Sequence, residues 1–376
     1  MTPTKRLLAF LLFLLPAPAL ADVPAPPPIA AKAWLLYDLT GGRSITSANE
    51  HERFEPASLT KLMTAYIAFS ALKQKTLSIN QVVTVSERAW KAPGSRMFIE
   101  PRKPVKVEEL LHGMITQSGN DACIALAEAI AGSEDAFAQM MNREAQRLGM
   151  KDTNFTNASG LPEPKHYSTA YDLGLLAAAL IRDFPEYYPL YSLREYRYNN
   201  ITQPNRNRLL WLDPNVDGMK TGYTENAGFC LIASAKRGPR RLLSVVLGAN
   251  SDSGRAQESL KLLNYGFQFY DAIKLYGKDQ PVSTLEVWKG ATSRLKAGFQ
   301  SDFYVTVPRG AQDQLKADLV SLQPLVAPIS VGDKVGTVQL TLQGKPLGEY
   351  PVVALENVAI AGFFGRAWDS LRLWAK

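Results

Sequence analysis

The chain has 376 residues, of which 46% are hydrophobic and 20% are charged, and this composition excludes a disordered chain and a collagen-like repeat. Two cysteines are too few for a disulfide-stapled miniprotein, and the length predicts roughly two to three domains. The net charge of +7 suits an anionic surface such as a membrane or a cell wall, but it is too small to indicate a nucleic-acid partner.

Residues 1–21 have the parts of a secretory signal peptide. Lys5 and Arg6 give a positive start, residues 7–15 are an unbroken apolar run, and the small residues before and at Ala21 form a cleavage site. The alternative is a membrane-spanning anchor, which needs about 20 apolar residues and therefore more than this run provides. We expect cleavage and export of the mature chain.

An exported protein can form disulfides, and Cys123 and Cys230 are the available pair. Both lie in apolar segments that predict a helix and a strand, which favours two buried free thiols over a bridge. The separation of the two Cα atoms would decide between these alternatives.

Residues 22–274 predict an α+β domain in which a helical cluster packs on an antiparallel sheet. The sheet is expected to combine a first hairpin with two later apolar strands, at residues 33–38, 44–47, 229–236 and 241–249. The spacing of apolar residues predicts helices from Ser58, over 107–117, 120–131 and 134–148, from a Ser168 cap to about 181, and over 255–273.

From residue 275 the pattern changes to short alternating or β-branched runs separated by Gly, Pro and Asp. Strands are expected at residues 303–308, 335–342 and 349–355, and helical spacing is nearly absent. Residues 275–356 are therefore predicted to form a separate, small all-β domain.

Residues 357–376 predict an amphipathic helix. One face carries Phe and Trp side chains, while Arg366, Asp369 and Arg372 lie elsewhere on the helix. Such a helix suits the surface of a bilayer, where it would lie in the membrane plane. The alternative is an ordinary helix packed on the β-rich domain. The aromatic content, the terminal position and a preceding domain that already looks complete favour the membrane.

The segment Ser58-Leu59-Thr60-Lys61 places a serine and a lysine on one helical face. Unpaired backbone N–H groups surround a serine at a helix start, and a desolvated neutral lysine can take the proton of its hydroxyl. The motif alone is weak, because a capping serine beside a surface lysine has the same spacing.

Two further motifs follow along the chain. Ser118-Gly119-Asn120 lies between two predicted helices, where the serine could relay a proton and the asparagine could bind a substrate amide. Lys220-Thr221-Gly222 begins a predicted strand; the glycine lets a substrate backbone lie close, and the other two residues offer donors to a carboxylate. Taken singly, a plain turn and an exposed strand edge explain these motifs better. All three motifs in order, each in a suitable context, are seldom a coincidence.

Together, the segments SLTKLM, SGNDAC and DGMKTGYT resemble the D-alanyl-D-alanine carboxypeptidases among the low-molecular-mass penicillin-binding proteins, and the resemblance extends over nearly the whole chain. It implies a β-lactamase/transpeptidase-like fold, removal of the terminal D-Ala from peptidoglycan pentapeptides, a covalent acyl-enzyme and inhibition by β-lactams. It also implies no cofactor, and a location on the periplasmic face of the inner membrane.

The resemblance assigns catalytic roles to individual residues. It makes Ser58 the acylated nucleophile and Lys61 its general base. Ser118 would relay a proton, Asn120 would position the substrate, and Lys220 would help to bind it.

The same resemblance assigns the substrate-binding strand. Thr221 and Gly222 would line it, and the backbone N–H groups of Tyr223 and of the nucleophile would form the oxyanion hole. Arg206, and more weakly Arg255, would recognise the substrate carboxylate; for Arg255 the alternative is a surface cation at a helix start. Some family members have His where this chain has Tyr223, which affects the expected pH dependence and deacylation rate.

Other proteins could carry the same motifs. A class A β-lactamase needs a deacylating glutamate between the second and third motifs, and Glu163 and Glu186 in that interval lack the ExxLN context. The β-rich domain and terminal helix argue only moderately against a D,D-endopeptidase, and the intact motifs argue against a silent wall-binding protein. Three well-separated histidines without an HExxH motif do not indicate a zinc peptidase or any other metal site.

Overall fold

The computed structural model describes residues 23–374, so the predicted signal peptide lies outside the described residues. The strands of the first part are β1 (Ala33–Asp38), β2 (Arg43–Ala48), β3 (Val82–Val83), β4 (Val105–Lys106), β5 (Glu195–Tyr198), β6 (Ile201–Pro204), β7 (Val216–Thr224), β8 (Gly228–Arg237) and β9 (Arg240–Ala249). Its helices are α1 (Lys61–Lys73), α2 (Glu87–Trp90), α3 (Val107–Thr116), α4 (Asn120–Ala131), α5 (Glu134–Arg147), α6 (Ala170–Asp183), α7 (Leu209–Leu212) and α8 (Asp252–Phe269), with 3-10 turns at Ala57–Thr60 and Tyr188–Ser192.

A five-stranded antiparallel sheet with the order β2-β1-β9-β8-β7 forms the centre of this part. Strand β1 pairs with β9, so that Leu35 lies opposite Val245. The prediction that both ends of the segment build one sheet is therefore confirmed. Strand β7, which carries Lys220-Thr221-Gly222, is an edge strand of this sheet.

The sheet separates two apolar cores, because successive side chains of a strand point to opposite faces. On β9, Leu243 and Val245 join the larger core, which the helical cluster α1–α6 covers. The alternate residues Leu242 and Val246 join a smaller core that includes Leu262 of α8. Burial of each such side chain contributes about 1.5–3 kcal/mol to folding, so the alternation fixes which face of the strand meets which core.

The rest of the chain is β-rich. Its strands are β10 (Tyr270–Tyr276), β11 (Pro281–Trp288), β12 (Arg294–Gly298), β13 (Phe303–Pro308), β14 (Leu315–Ser321), β15 (Leu325–Val326), β16 (Lys334–Leu342) and β17 (Lys345–Ala354), with a 3-10 turn at Gln312–Gln314. Six of them form a sheet of order β14-β16-β17-β12-β11-β15, and β10 pairs with β13. The predicted all-β character is confirmed, with a core that includes Leu295, Val338 and Val352.

Several predicted helix ends differ from the structure, among them the start of α8, which lies at Asp252 rather than 255. Helix α8 ends at Phe269 rather than 273, because Tyr270–Tyr276 instead pairs as a strand with the distant Phe303–Pro308. Thr169 rather than Ser168 caps α6, since its hydroxyl accepts the N–H of Asp172. Ser58 lies in a 3-10 turn that precedes α1.

A terminal helix, α9 (Phe363–Trp374), begins later than residue 357. The preceding residues are extended: Val358 pairs with Ile329, and Ile360 pairs with Gly290. Across residues 23–374, no helix combines the length and the apolar character that a bilayer crossing requires.

The two cysteines confirm the prediction of free thiols. Cys123 on α4 and Cys230 on β8 are both buried and unbridged. Burial raises the pKa of Cys123 to about 12. Both thiols therefore remain protonated at neutral pH.

Candidate active site

Ser58 and Lys61 meet at the start of α1. In a 3-10 turn, residues three apart lie nearly above one another, and the turn Ala57–Thr60 runs directly into the helix. The Lys61 Nζ atom lies 2.9 Å from Ser58 Oγ. The predicted proximity of hydroxyl and amine is therefore present, although a 3-10 turn and not an α-helix creates it.

Two other acceptors surround the Lys61 amine. Its Nζ lies 2.7 Å from Asn120 Oδ1 and 2.7 Å from the carbonyl oxygen of Ser159. A neutral amine can donate two hydrogens to these oxygens and turn its lone pair toward the Ser58 hydroxyl. Burial lowers the pKa of Lys61, and the nearby positive charge of Arg206 lowers it further.

The loop between α3 and α4 brings the second motif to the same place. Ser118 has a left-handed φ of 61° and is buried. Its Oγ accepts a hydrogen bond from Lys220 Nζ at 2.9 Å, while the same amine donates to the Thr221 carbonyl at 2.9 Å. Burial and the charges of Lys61 and Arg206 hold the pKa of Lys220 well below its usual value.

Strand β7 lies against the turn that carries Ser58. A Cβ atom at Gly222 would lie 3.1 Å from Pro56 O and 3.3 Å from Ser58 N, so a larger residue would crowd the turn that carries Ser58. The motif lies within the strand rather than at its start. The next residue, Tyr223, is 53% exposed and packs on Phe229 with ring centroids 4.5 Å apart.

These residues line one cleft of about 620 Å³. The cleft brings together Ser58, Ser118, Asn120, Arg206, Thr221, Gly222, Tyr223 and Arg255, whereas Lys61 and Lys220 are buried behind it. Among the described lining residues the one acid is Asp252; neither Glu163 nor Glu186 contributes to the wall.

The two arginines differ in their surroundings. Arg206 lines the cleft. Arg255 is buried near the start of α8, where it pairs with Asp252 and donates to the Gly222 carbonyl at 3.0 Å. The alternative of a surface cation at position 255 is therefore wrong, and this guanidinium also supports the backbone of β7.

Three residues that support the surroundings of Lys61 were not predicted from the sequence. Ser159 supplies a carbonyl to the amine, Asn157 holds the loop of Ser159, and Asp121 holds the segment that contacts Asn120. The Asn–x–Ser–Gly pattern at 157–160 is a signal for a tight turn. Nothing in that pattern indicates which distant side chain the turn contacts. Within residues 23–374, no cluster of potential ligands could hold a metal ion.

The sheet-and-helix fold, with a Ser–Lys pair at a helix start beside an edge strand, defines the β-lactamase/transpeptidase-like class of serine enzymes. Residues 21–251 match the peptidase S11 family, described as D-alanyl-D-alanine carboxypeptidase. Residues 270–359 match the C-terminal domain of penicillin-binding protein 5. The chain belongs to the D-alanyl-D-alanine carboxypeptidase family.

Individual relatives are similar over most of their length. D-alanyl-D-alanine carboxypeptidase DacC of Escherichia coli K12 is 45% identical over 351 residues, which cover 91% of this chain and 88% of that protein. Penicillin-binding protein 5 of Haemophilus influenzae matches with a TM-score of 0.84 and 40% identity, covering 89% of this chain and 99% of that one. Ampicillin-bound penicillin-binding protein D2 of Listeria monocytogenes matches with a TM-score of 0.60 and 31% identity, covering 64% of this chain and 98% of that one.

Proposed function

We propose that the protein is a serine-type D-Ala-D-Ala carboxypeptidase, which removes the terminal D-alanine from peptidoglycan pentapeptide stems. One observation carries this proposal: the buried Lys61 amine lies 2.9 Å from Ser58 Oγ, in a cleft bounded by the edge strand β7. Family membership supports the same reaction.

In the acylation step, Ser58 Oγ attacks the carbonyl carbon of the penultimate D-Ala while its proton passes to Lys61. The short distance and the lowered pKa of this lysine support its role as general base. The C–N bond to the terminal D-Ala then breaks, and Lys61 gives the proton back to the leaving nitrogen, with Ser118, which lines the same cleft, as the relay. Water hydrolyses the acyl-enzyme in a second step.

The charges of the substrate fit the cleft. A tetrahedral oxyanion would accept hydrogen bonds from the backbone N–H groups of Ser58 and Tyr223. Both groups lie next to Gly222, where β7 approaches the turn of Ser58. The carboxylate of the leaving D-Ala would meet Thr221 and Arg206. Asn120 would both bind a substrate amide and hold Lys61.

β-Lactams would acylate the same serine, because their strained amide occupies the position of the scissile peptide bond. A fast β-lactamase is less well supported. Among the described residues the cleft has no glutamate in its wall, and class A enzymes need one for deacylation.

Fluorescent penicillin tests this proposal directly. The purified protein should be labelled covalently and should release D-Ala from a pentapeptide faster than it hydrolyses penicillin. Ser58→Ala should lose both labelling and release, while the control Ser70→Ala, on a distant turn of α1, should keep them. Persistent labelling of Ser58→Ala would disprove the assignment of the nucleophile.

We further propose that residues 22–274 act as the catalytic domain, residues 275–356 as a spacer, and residues 357–376 as the contact with the inner membrane. The exposure of Phe364 (87%) and Trp374 (89%) supports a bilayer partner for α9. Its polar side is turned toward the β-rich part: Asp369 accepts the backbone N–H of Lys289 at 2.6 Å. Export by residues 1–21 would place this surface on the periplasmic side.

Deletion of residues 362–376 tests the membrane contact. The cut leaves the paired residues Val358 and Ile360 in place. The shortened protein should stay in solution when vesicles of anionic phospholipid are pelleted, and should keep full activity on a soluble peptide. Co-sedimentation equal to that of the full chain would contradict the proposal.

A further inference from the structure

The Lys61 amine can act on Ser58 only if its other contacts are fixed. Its two additional acceptors, Asn120 Oδ1 and Ser159 O, come from two separate segments that line the cleft. If either acceptor moved, the amine would rotate away from the hydroxyl or admit water. The residues that hold these acceptors therefore bear on the proposed reaction.

Asp121 holds the wall on the Asn120 side. Its carboxylate is fully buried and accepts the backbone N–H groups of Met97 at 2.9 Å, Phe98 at 2.8 Å and Ile99 at 3.2 Å. The same segment supplies the Pro93 carbonyl, which accepts Asn120 Nδ2 at 2.7 Å.

The contact with Pro93 determines how the amide of Asn120 is turned. A carbonyl can only accept a hydrogen bond, so it must face the Nδ2 end of the amide. The Oδ1 end is thereby left for Lys61. The backbone N–H of Asn120, which donates to Ser95 O at 2.7 Å, fixes the segment a second time.

Asn157 holds the loop of Ser159 in a similar way. Its Oδ1 accepts the backbone N–H groups of Ser159 at 3.2 Å, Gly160 at 2.7 Å and Leu161 at 3.1 Å, and its Nδ2 donates to Leu161 O at 2.9 Å. Gly160 has φ of 83°, and a Cβ there would lie 1.8 Å from Ala57 O. The loop is thus pressed against the turn of Ser58, with the Ser159 carbonyl directed at Lys61.

We propose that Asp121 and Asn157 are a pair of positioning residues. Each fixes one of the two acceptors of the Lys61 amine, and the lone pair of the amine is thereby directed at the Ser58 hydroxyl. Among the described residues, neither Asp121 nor Asn157 lines the cleft, and their hydrogen bonds go to other residues than Ser58. This inference rests on the proposed function. A purely structural role would affect only stability, whereas a positioning role also affects the protonation and the orientation of the Lys61 amine.

Two isosteric substitutions test the pair in the full mature chain. Asn157→Asp keeps the shape but removes the donor to Leu161, and Asp121→Asn replaces an acceptor oxygen with a donor. Each should slow acylation by fluorescent penicillin about tenfold to a hundredfold, and should lower kcat for D-Ala release with little change in KM. The double variant should lose less than the product of the two losses, since both act through Lys61.

A pH profile separates positioning from general destabilisation. The added negative charge in Asn157→Asp favours the ammonium form of Lys61, so the rise of acylation with pH should move to higher pH. Asn142→Asp is a matched control: Asn142 holds both backbone groups of Phe155, at 2.8 and 2.7 Å, but reaches no partner of Lys61. Asp135→Asn is the exposed control on α5.

Thermal unfolding first establishes that each variant is folded, and Asn157→Ser replaces Asn157→Asp if the latter is not. Wild-type rates and an unmoved pH profile in both variants would overturn the inference, as would an equal loss in Asn142→Asp. A wild-type protein that neither takes up penicillin nor releases D-Ala would instead overturn the proposed function. Normal wild-type activity with unaffected variants would overturn the positioning role alone.

Discussion

The two parts of the chain bury different kinds of side chain. In the first part, Lys61, Asp121 and Lys220 each expose 3% of their surface or less. In the β-rich part, Thr306 is the one polar side chain that is buried among the described residues. Burial of such groups costs desolvation, which hydrogen bonds must offset, and each of the three has such partners. The first part therefore holds its reactive groups in a buried hydrogen-bond network. The β-rich part has an almost wholly apolar core, which is typical of a structural domain without a reactive site.

The sharpest test of this contrast removes the buried amine. Lys61→Met preserves most of the side-chain volume but leaves Ser58 without a base, so acylation should fall by about 10²–10⁴-fold. The rate of labelling by fluorescent penicillin measures this loss. The control Lys73→Met removes an exposed lysine at the other end of α1 and should leave labelling unchanged. Normal labelling of Lys61→Met would show that another group takes the proton.

A core substitution in the β-rich part should lower stability and leave acylation unchanged. Leu295 is fully buried, and Leu295→Ala should lower the free energy of unfolding of the β-rich part by about 2–5 kcal/mol. Denaturant unfolding measures the change, and penicillin acylation should keep its wild-type rate. The partly buried Leu315 provides the control, since Leu315→Ala should cost less stability. A fall in acylation in folded Leu295→Ala would mean that the two parts are coupled.

The pH dependence of acylation gives a smaller, graded effect. The reactive form of Lys61 is the neutral amine, and its pKa lies below 10.5 in the folded protein. The rate should therefore rise about tenfold per pH unit below that pKa and level off above it. A rate that falls with rising pH over this limb would contradict the assignment.

The same pKa has a consequence for stability. The unfolded chain holds the Lys61 proton up to about 10.5, whereas the folded protein loses it earlier. Between those two values the unfolded state binds more protons, so the contribution of Lys61 to stability should rise with pH. In this pH range, the free energy of unfolding should depend less steeply on pH in Lys61→Met than in the wild-type protein.

Local patterns predicted most of the secondary structure. The sequence patterns predicted α3, α4 and α5 to within a residue at each end. The buried side chains of α5 lie on one face, whereas α4 buries every residue from Asn120 to Ala127 and ends at Gly132. The strand at Tyr270–Tyr276 was missed because its partner, Phe303–Pro308, lies far along the chain. Local propensity cannot supply such a pairing.

The reactive residues could be predicted, but their supports could not. Ser58 and Lys61 are close in sequence, so their proximity follows from one turn. The contact of Lys61 with Ser159 spans 98 residues and involves a backbone oxygen, which any residue type provides. The pattern of side chains along the sequence therefore cannot predict such contacts. Only the folded loop at 157–161 reveals them.

The open edge of β7 has a further consequence for self-association. A free strand edge is a template on which other chains can add, and long edges of this kind promote aggregation. Here the turn that carries Ser58 packs on one face of the strand at Gly222, where a Cβ atom would lie 3.1 Å from Pro56 O. This wall narrows the space beside the edge, which suits a short extended peptide better than a second copy of this sheet. The feature that admits a substrate thus also limits fibril-like growth from the same strand.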